Sequence, residues 1–184
     1  FGADRGGDVE LLRRMGRELG FTAESAPTVE HTGEVVSSTR VREALAAGRV
    51  GEVAGLLGRF SFIDGEVLEG KRLGRRLGFP TLNIGWENEL VPRKGVYITA
   101  VHIPSFKRSF PSVTNIGVRP TLYENSHVTM ESHLLDFTAD VYRERVRLYF
   151  LERLRDELHF ASTTKLMVQI KEDVAAARAW CAAH

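Results

Sequence analysis

From Phe60 onward the chain adopts a two-residue apolar rhythm, and that rhythm limits what it can fold into. Gly95–Ile103 (GVYITAVHI) is rich in β-branched and aromatic residues and is stopped by Pro104-Ser105. Phe110–Val118, His127–Leu135 and Val146–Leu154 are further strand candidates, and Gly65–Leu68 and Leu82–Trp86 are shorter ones. About six strands with turn residues between them, followed by a single long helix, favour an antiparallel barrel over alternating βαβ units. In that last helix Leu166, Ile170, Val174, Ala177 and Cys181 recur at helical spacing, a stripe suited to covering one side or end of the barrel. Residues 1–59 read differently, as mostly helical. Asp8 can cap a helix carrying Leu11, Leu12, Met15 and Leu19, with Gly20 at its exit. After a loop containing Pro27 and Gly33, the hydroxyls of Ser37, Ser38 and Thr39 offer an N-cap to Val41–Ala47; Gly48 breaks that helix and Val50–Leu57 resumes it. With few large apolar side chains, these residues do not look like a self-sufficient domain.

Composition narrows the function classes. The 184 residues hold 25 Lys+Arg against 24 Asp+Glu, a net charge of +1, so no global field points to nucleic acid or an anionic membrane. No apolar run approaches the ~18 residues of a membrane-spanning helix. The single cysteine, Cys181, excludes an internal disulfide framework and fits a reducing compartment such as the cytoplasm. The chain opens on Phe-Gly-Ala-Asp with no signal peptide, and the expectation is that its true beginning is missing.

The chemistry concentrates in a few stretches. Between Gly65 and Asn83, four further residues (Lys71, Arg72, Arg75 and Arg76) bring positive charge among closely spaced glycines. Glycine allows backbone N–H groups to approach an anion, and the basic side chains can neutralise phosphate oxygens. Thr81 and Asn83, one residue apart, share a face of an extended segment and offer hard, neutral oxygen ligands that suit Mg²⁺ shared with a phosphate. A solvated basic hairpin followed by an ordinary Pro turn accounts for the same residues. In Val128–Leu135, Glu131 and His133 share one strand face. Glu131 serves as a general base if that face lines a cavity, and belongs to an outward polar stripe if it does not. Thr114–Thr121 reads as a polar loop around Gly117 with a mainly structural role. The other histidines show no metal-ligand spacing, Trp86 and Trp180 read as core residues, and nothing near Cys181 would activate it.

Together these segments resemble the bacterial bifunctional riboflavin kinase/FAD synthetase family. The matching residues include Gly70, Gly74-Arg75, Leu77-Gly78-Phe79-Pro80-Thr81-Leu82-Asn83, Gly95-Val96-Tyr97 and Asn115–Thr121. Further on come Glu131–Phe137, Tyr142 and Leu154-Arg155 through Phe160-Ala161-Ser162. Upstream, Phe1-Gly2, Arg5–Val9 and Val36–Arg42 resemble the end of the FMN adenylyltransferase module. The resemblance implies two domains: residues 1–59, a helical remnant of an α/β nucleotidyltransferase, and residues 60–184, a six-stranded antiparallel Greek-key barrel of the riboflavin kinase type with a C-terminal helix. It implies phosphorylation of riboflavin by ATP to give FMN and ADP, with Mg²⁺ on Thr81 and Asn83 and Glu131 as base. It places Gly70, Lys71, Arg75, Arg76, Gly78 and Pro80 at ATP, Arg155 and Phe160 at riboflavin, and Ser37, Ser38, Thr39 and Arg42 at the adenylyltransferase remnant. That second site would be incomplete in this chain, and the parent protein would carry it whole. The sequence departs from the family at Leu82, usually alanine, and Ser132, usually threonine. A non-catalytic barrel binding flavin or an anion is the alternative reading.

Overall fold

The structure, a computed structural model, describes residues 6–70, 73–119 and 127–184, without the side chains of Leu73, Arg76, Arg119 and His127. The chain divides into two compact units, Phe1–Val36 and Ser37–His184. In the first, helix α1 (Val9–Leu19) starts where the Asp8 carboxylate accepts the Leu11 N–H at 2.8 Å and stops at Gly20, whose φ of +79° is left-handed. The expected loop around Gly33 contains a small hairpin, β1 (Glu30–His31) and β2 (Glu34–Val35). Thr32 and Gly33, both at positive φ, make its turn.

The second unit begins with α2 (Ser38–Ala46) and α3 (Val50–Leu57). The Ser37 hydroxyl accepts the Arg40 N–H, so α2 starts three residues earlier than the apolar spacing indicates. Val50, Val53 and Leu56 of α3 are buried, and Val50 joins the barrel core. Strands β3 (Phe62–Leu68), β4 (Leu82–Trp86), β5 (Gly95–Ile103), β6 (Arg108–Arg119), β7 (His127–Leu134) and β8 (Arg145–Arg155) form the closed antiparallel barrel expected. Their spatial order is β3-β4-β7-β6-β5-β8. A one-turn helix, α4 (Leu73–Arg76), lies between β3 and β4, and α5 (Thr163–Ala183) follows β8. Thr114–Thr121 reads in the sequence both as the end of the Phe110–Val118 strand and as a polar loop. Residues 120 and 121 lie outside the described residues, and the strand reading holds, since β6 runs through Arg119. Its residues pair one by one with β7, from Thr114–Ser132 to Arg119–His127.

The barrel interior is filled, so it is a core and not a channel. Tyr97, Val101, Ile103, Ile116, Met130, Leu148 and Phe150 pack there. Among them runs a buried hydroxyl ladder across three strands. Thr99 bonds Ser112 at 2.7 Å and Thr114 at 2.6 Å, and Thr114 bonds Ser132 at 2.8 Å. Each hydroxyl satisfies another, so the ladder fixes the β5–β6–β7 register without leaving an unpaired polar group. The mild departure at Ser132 keeps the hydroxyl this ladder uses.

The outer face is not all solvated. Val96, Ile98, Val113 and Leu135 point away from the interior and are covered by Val174, Ala177, Trp180 and Cys181 of α5. Strand β5 is thereby buried on both faces, which explains its nearly continuous apolar sequence. Burial pushes the Cys181 thiol up, away from the reactive thiolate. Two forked ion pairs tie the helix down. Arg155 donates to both oxygens of buried Asp173 at 2.9 and 2.7 Å, and Arg178 holds Asp136 at 2.8 and 2.7 Å. Removing one partner of a buried pair strands the other, at a cost of about 3 kcal/mol. Asp173→Ala is therefore expected to lower the thermal midpoint by several degrees, whereas Asp136→Ala, at an exposed pair, moves it little; calorimetry on both variants checks the contrast.

Candidate functional site

The Gly/Arg segment folds back on itself before β4. In α4 the Gly74 carbonyl accepts the N–H groups of Leu77 at 3.1 Å and Phe79 at 2.8 Å, and Gly78, at φ +83°, turns the chain out of the helix. A Cβ at Gly74 would sit 2.3 Å from the Phe79 carbonyl oxygen, so glycine is needed for this return. Thr81 then enters β4. Leu82, Ile84 and Trp86 face the interior, and Asn83 lies on the outer face with Thr81. Leu82 is thus accommodated by packing on the barrel core.

Strand β7 supplies the facing residues. Met130, Ser132 and Leu134 point inward, so Glu131 and His133 point outward. Both alternatives for Glu131 meet here: it belongs to an outward stripe, and that stripe lines a cavity. Asn83 is the register partner of Glu131 on one side and Asn115 on the other. The Thr81 Oγ1 lies 3.5 Å from Glu131 Oε2. Thr81, just before β4, and Asn83 within it are therefore brought beside Glu131 of β7.

Two cavities meet at Thr81. One, of about 270 Å³, lies outside the barrel between β6, β7, the segment 74–79 and α5; Phe79, Glu131, Arg155, Phe160, Leu166 and Ile170 are among its walls. The other, of about 230 Å³, opens beside Arg75, Pro80, Leu82, Phe137 and Tyr142 at the barrel end. The apolar stripe of α5 divides accordingly. Its C-terminal half covers the barrel, and Leu166 and Ile170 in its N-terminal half face the first cavity. Gly70 backs the site, since a Cβ there would fall 2.1 Å from Asn83 Nδ2. Lys71 lies outside the described residues, as does the side chain of Arg76. Ser37, Ser38, Thr39 and Arg42 lie at the start of α2 and line neither cavity.

Asp173, Asn115 and the His133 bond to the Pro80 carbonyl were missed in the sequence. A signal existed for Asp173, an acid inside the apolar stripe between Ile170 and Val174.

A family model described as riboflavin kinase matches residues 57–181, well over half of the chain. The chain belongs to the riboflavin kinase family. It is 47% identical over 182 residues to the bifunctional riboflavin kinase/FMN adenylyltransferase of Pseudomonas fluorescens, covering 99% of this chain and 58% of that protein. Its counterpart in Escherichia coli K12 is 39% identical over 178 residues, 97% of this chain and 56% of that one. The chain thus spans a little over half the length of these curated relatives. A crystal structure described as a macrolide-efflux protein from Streptococcus pneumoniae superposes with a TM-score of 0.83 at 31% identity, covering 97% of this chain and 57% of the other. Among the described residues no helix is long and apolar enough to cross a membrane.

In this riboflavin kinase-family barrel the side-chain oxygens of Thr81 and Asn83 are a hard, neutral donor pair beside the Glu131 carboxylate, and among the described residues no group of three or more His, Cys, Asp or Glu is placed to hold a metal. The donor set fits a divalent ion that takes its remaining ligands from phosphate and water. Gly70→Ala tests how closely the site is built. The atom it displaces ends a side chain that can swing aside, so stability is expected to change by less than about 1 kcal/mol. The Asn83 amide must move, however, and the affinity for magnesium is expected to fall roughly tenfold, read from a melting curve and a metal titration on the same sample.

Proposed function

We propose that this chain transfers the γ-phosphoryl group of ATP to the 5′-hydroxyl of riboflavin, giving FMN and ADP. One observation carries the reading: Thr81 stands where an apolar cavity meets one edged by a basic side chain, 3.5 Å from Glu131 on the wall of the apolar one, with Asn83 paired to Glu131 in the adjoining strand. The apolar cavity, between Phe79, Phe160 and the Leu166/Ile170 face of α5, takes the flat flavin ring, with Arg155 beside its polar edge. The neighbouring cavity takes the nucleotide next to Arg75 and Pro80, and Gly70, Lys71, Arg76 and Gly78 belong to the segment that closes over the phosphates.

Glu131 accepts the ribityl hydroxyl proton as the new O–P bond forms and the bond from the γ-phosphorus to the ADP oxygen breaks. Thr81 and Asn83 would hold Mg²⁺, which when bound neutralises phosphate charge. Covering by α5 and the segment 74–79 keeps water from the reacting phosphoryl group. Arg155 is held by Asp173 on the cavity wall, so its guanidinium is oriented before any ligand arrives.

We assign residues 60–184 to the kinase domain and residues 1–59 to the closing part of an FMN adenylyltransferase domain; Ser37, Ser38, Thr39 and Arg42 would sit at ATP phosphates in the whole protein. The names of the relatives and the capped start of α2 support this, although α2 and α3 pack in one unit with the barrel. The second activity is a proposal for the whole protein, and the cytoplasm is the compartment we assign it.

Incubation with riboflavin, ATP and MgCl₂, followed by chromatography of the flavins, tests the kinase reading. Wild type is expected to produce FMN. Glu131→Gln is expected to lose about 10²–10⁴-fold in turnover with ATP binding retained, and Thr81→Ala or Asn83→Ala to need more magnesium for a lower rate. Riboflavin bound without any product would favour the non-catalytic barrel.

A further inference from the structure

The seam between β4 and β7 is the shortest in the barrel among the described residues. It has two register pairs, Leu82–Ser132 and Asn83–Glu131, where β5–β6 has nine and β6–β7 eight. The same short seam carries Thr81, Asn83 and Glu131. Were the ladder continued, the next pair would be Thr81 and His133. Backbone pairing stops there, and the His133 ring reaches across instead: its Nδ1 lies 2.8 Å from the Pro80 carbonyl oxygen. A carbonyl only accepts, so Nδ1 carries the proton. The ring is also braced edge-on against Phe79, with centroids 5.5 Å apart at 80°.

The Pro80 carbonyl and the Thr81 nitrogen belong to one peptide plane, so a bond to that oxygen fixes the plane from which Thr81 departs. We propose that His133 is a positioning residue of the phosphoryl-transfer site. Its Nδ1–H bond to Pro80 extends the β4–β7 seam by one step and sets Thr81 against Glu131. This rests on the kinase reading for its kinetic consequence, but the bond itself does not. His133 also lines the apolar cavity assigned to the flavin, but its Nδ1 is committed to the Pro80 carbonyl and it is assigned no contact with the reacting hydroxyl or the phosphates. It acts through the peptide plane it holds.

Side-chain topology supplies a discriminating test. In asparagine the amide nitrogen lies as many bonds from Cα as histidine Nδ1 does; in glutamine it lies one bond further, like Nε2. His133→Asn can therefore restore the donor, while His133→Gln misplaces it and His133→Phe keeps only the ring against Phe79. The expected result is near wild-type FMN formation for Asn, and for Gln and Phe a roughly tenfold lower kcat with a similar rise in the magnesium needed for half-maximal rate. Equal losses in Asn and Gln, with both variants folded by circular dichroism, would overturn the proposal.

A second readout needs no activity. Long-range ¹H–¹⁵N correlation on histidine-labelled, ligand-free wild type is expected to show a protonated Nδ1 at His133, and a ring protonated only on Nε2 would also overturn it. Absence of FMN in the wild type would defeat the kinase reading while leaving the ring measurement to decide the His133–Pro80 bond.

Discussion

A six-stranded sheet becomes a barrel only if every strand finds two neighbours, and here closure depends on β4 meeting β7 over two residue pairs. Closing the sheet removes the exposed edges that would otherwise recruit other strands. It also brings together two strands distant in sequence at a point where their backbones barely engage. The interior cannot host chemistry there, because Met130, Leu134 and Ile84 fill it. What the short seam offers is its outer face, where Thr81, Asn83 and Glu131 stand side by side. Rigidity comes from behind, through the hydroxyl ladder that ends at Ser132, directly beside Glu131 in sequence.

A barrel surface alone would leave those groups in water. Helix α5 changes that by lying across β5 and β6, anchored at Asp173 and Arg178. Its apolar stripe is longer than the barrel surface it covers, and the surplus, Leu166 and Ile170, walls a cavity. The opposite wall is the returned segment at Gly74–Phe79. The site is therefore assembled from a strand pair, a helix overhang and a glycine return, each held by its own local interactions.

Much of this was legible in the sequence. Period-two runs located all six barrel strands, and Asp8, Ser37 and Gly20 marked helix ends because capping is a local interaction. Thr81 and Asn83 could be placed on one face for the same reason: alternation is a property of the strand itself. What alternation does not encode is what lies over a face. Glu131 remained ambiguous between solvent and cavity until α5 supplied the cover, and the segment from Thr114 read both as strand and as loop because its Asn-Ile-Gly pattern imitates a turn inside a period-two run. The His133–Pro80 bond joins residues 53 apart in the chain and leaves no local trace. Asp173 was the recoverable omission, an acid in an apolar stripe that calls for a buried cation.

The central claim is that chemistry occurs on the outside of the barrel, at the β4–β7 seam, with flavin and nucleotide on opposite sides of Thr81. A crystal structure with riboflavin, ADP and magnesium tests it most directly. The account predicts the flavin ring between Phe160 and the Leu166/Ile170 face, the ribityl end at Glu131, and the nucleotide phosphates at Thr81 and Asn83. A flavin seated in the cavity beside Phe137 and Tyr142, or a ribityl hydroxyl remote from Glu131, would contradict it.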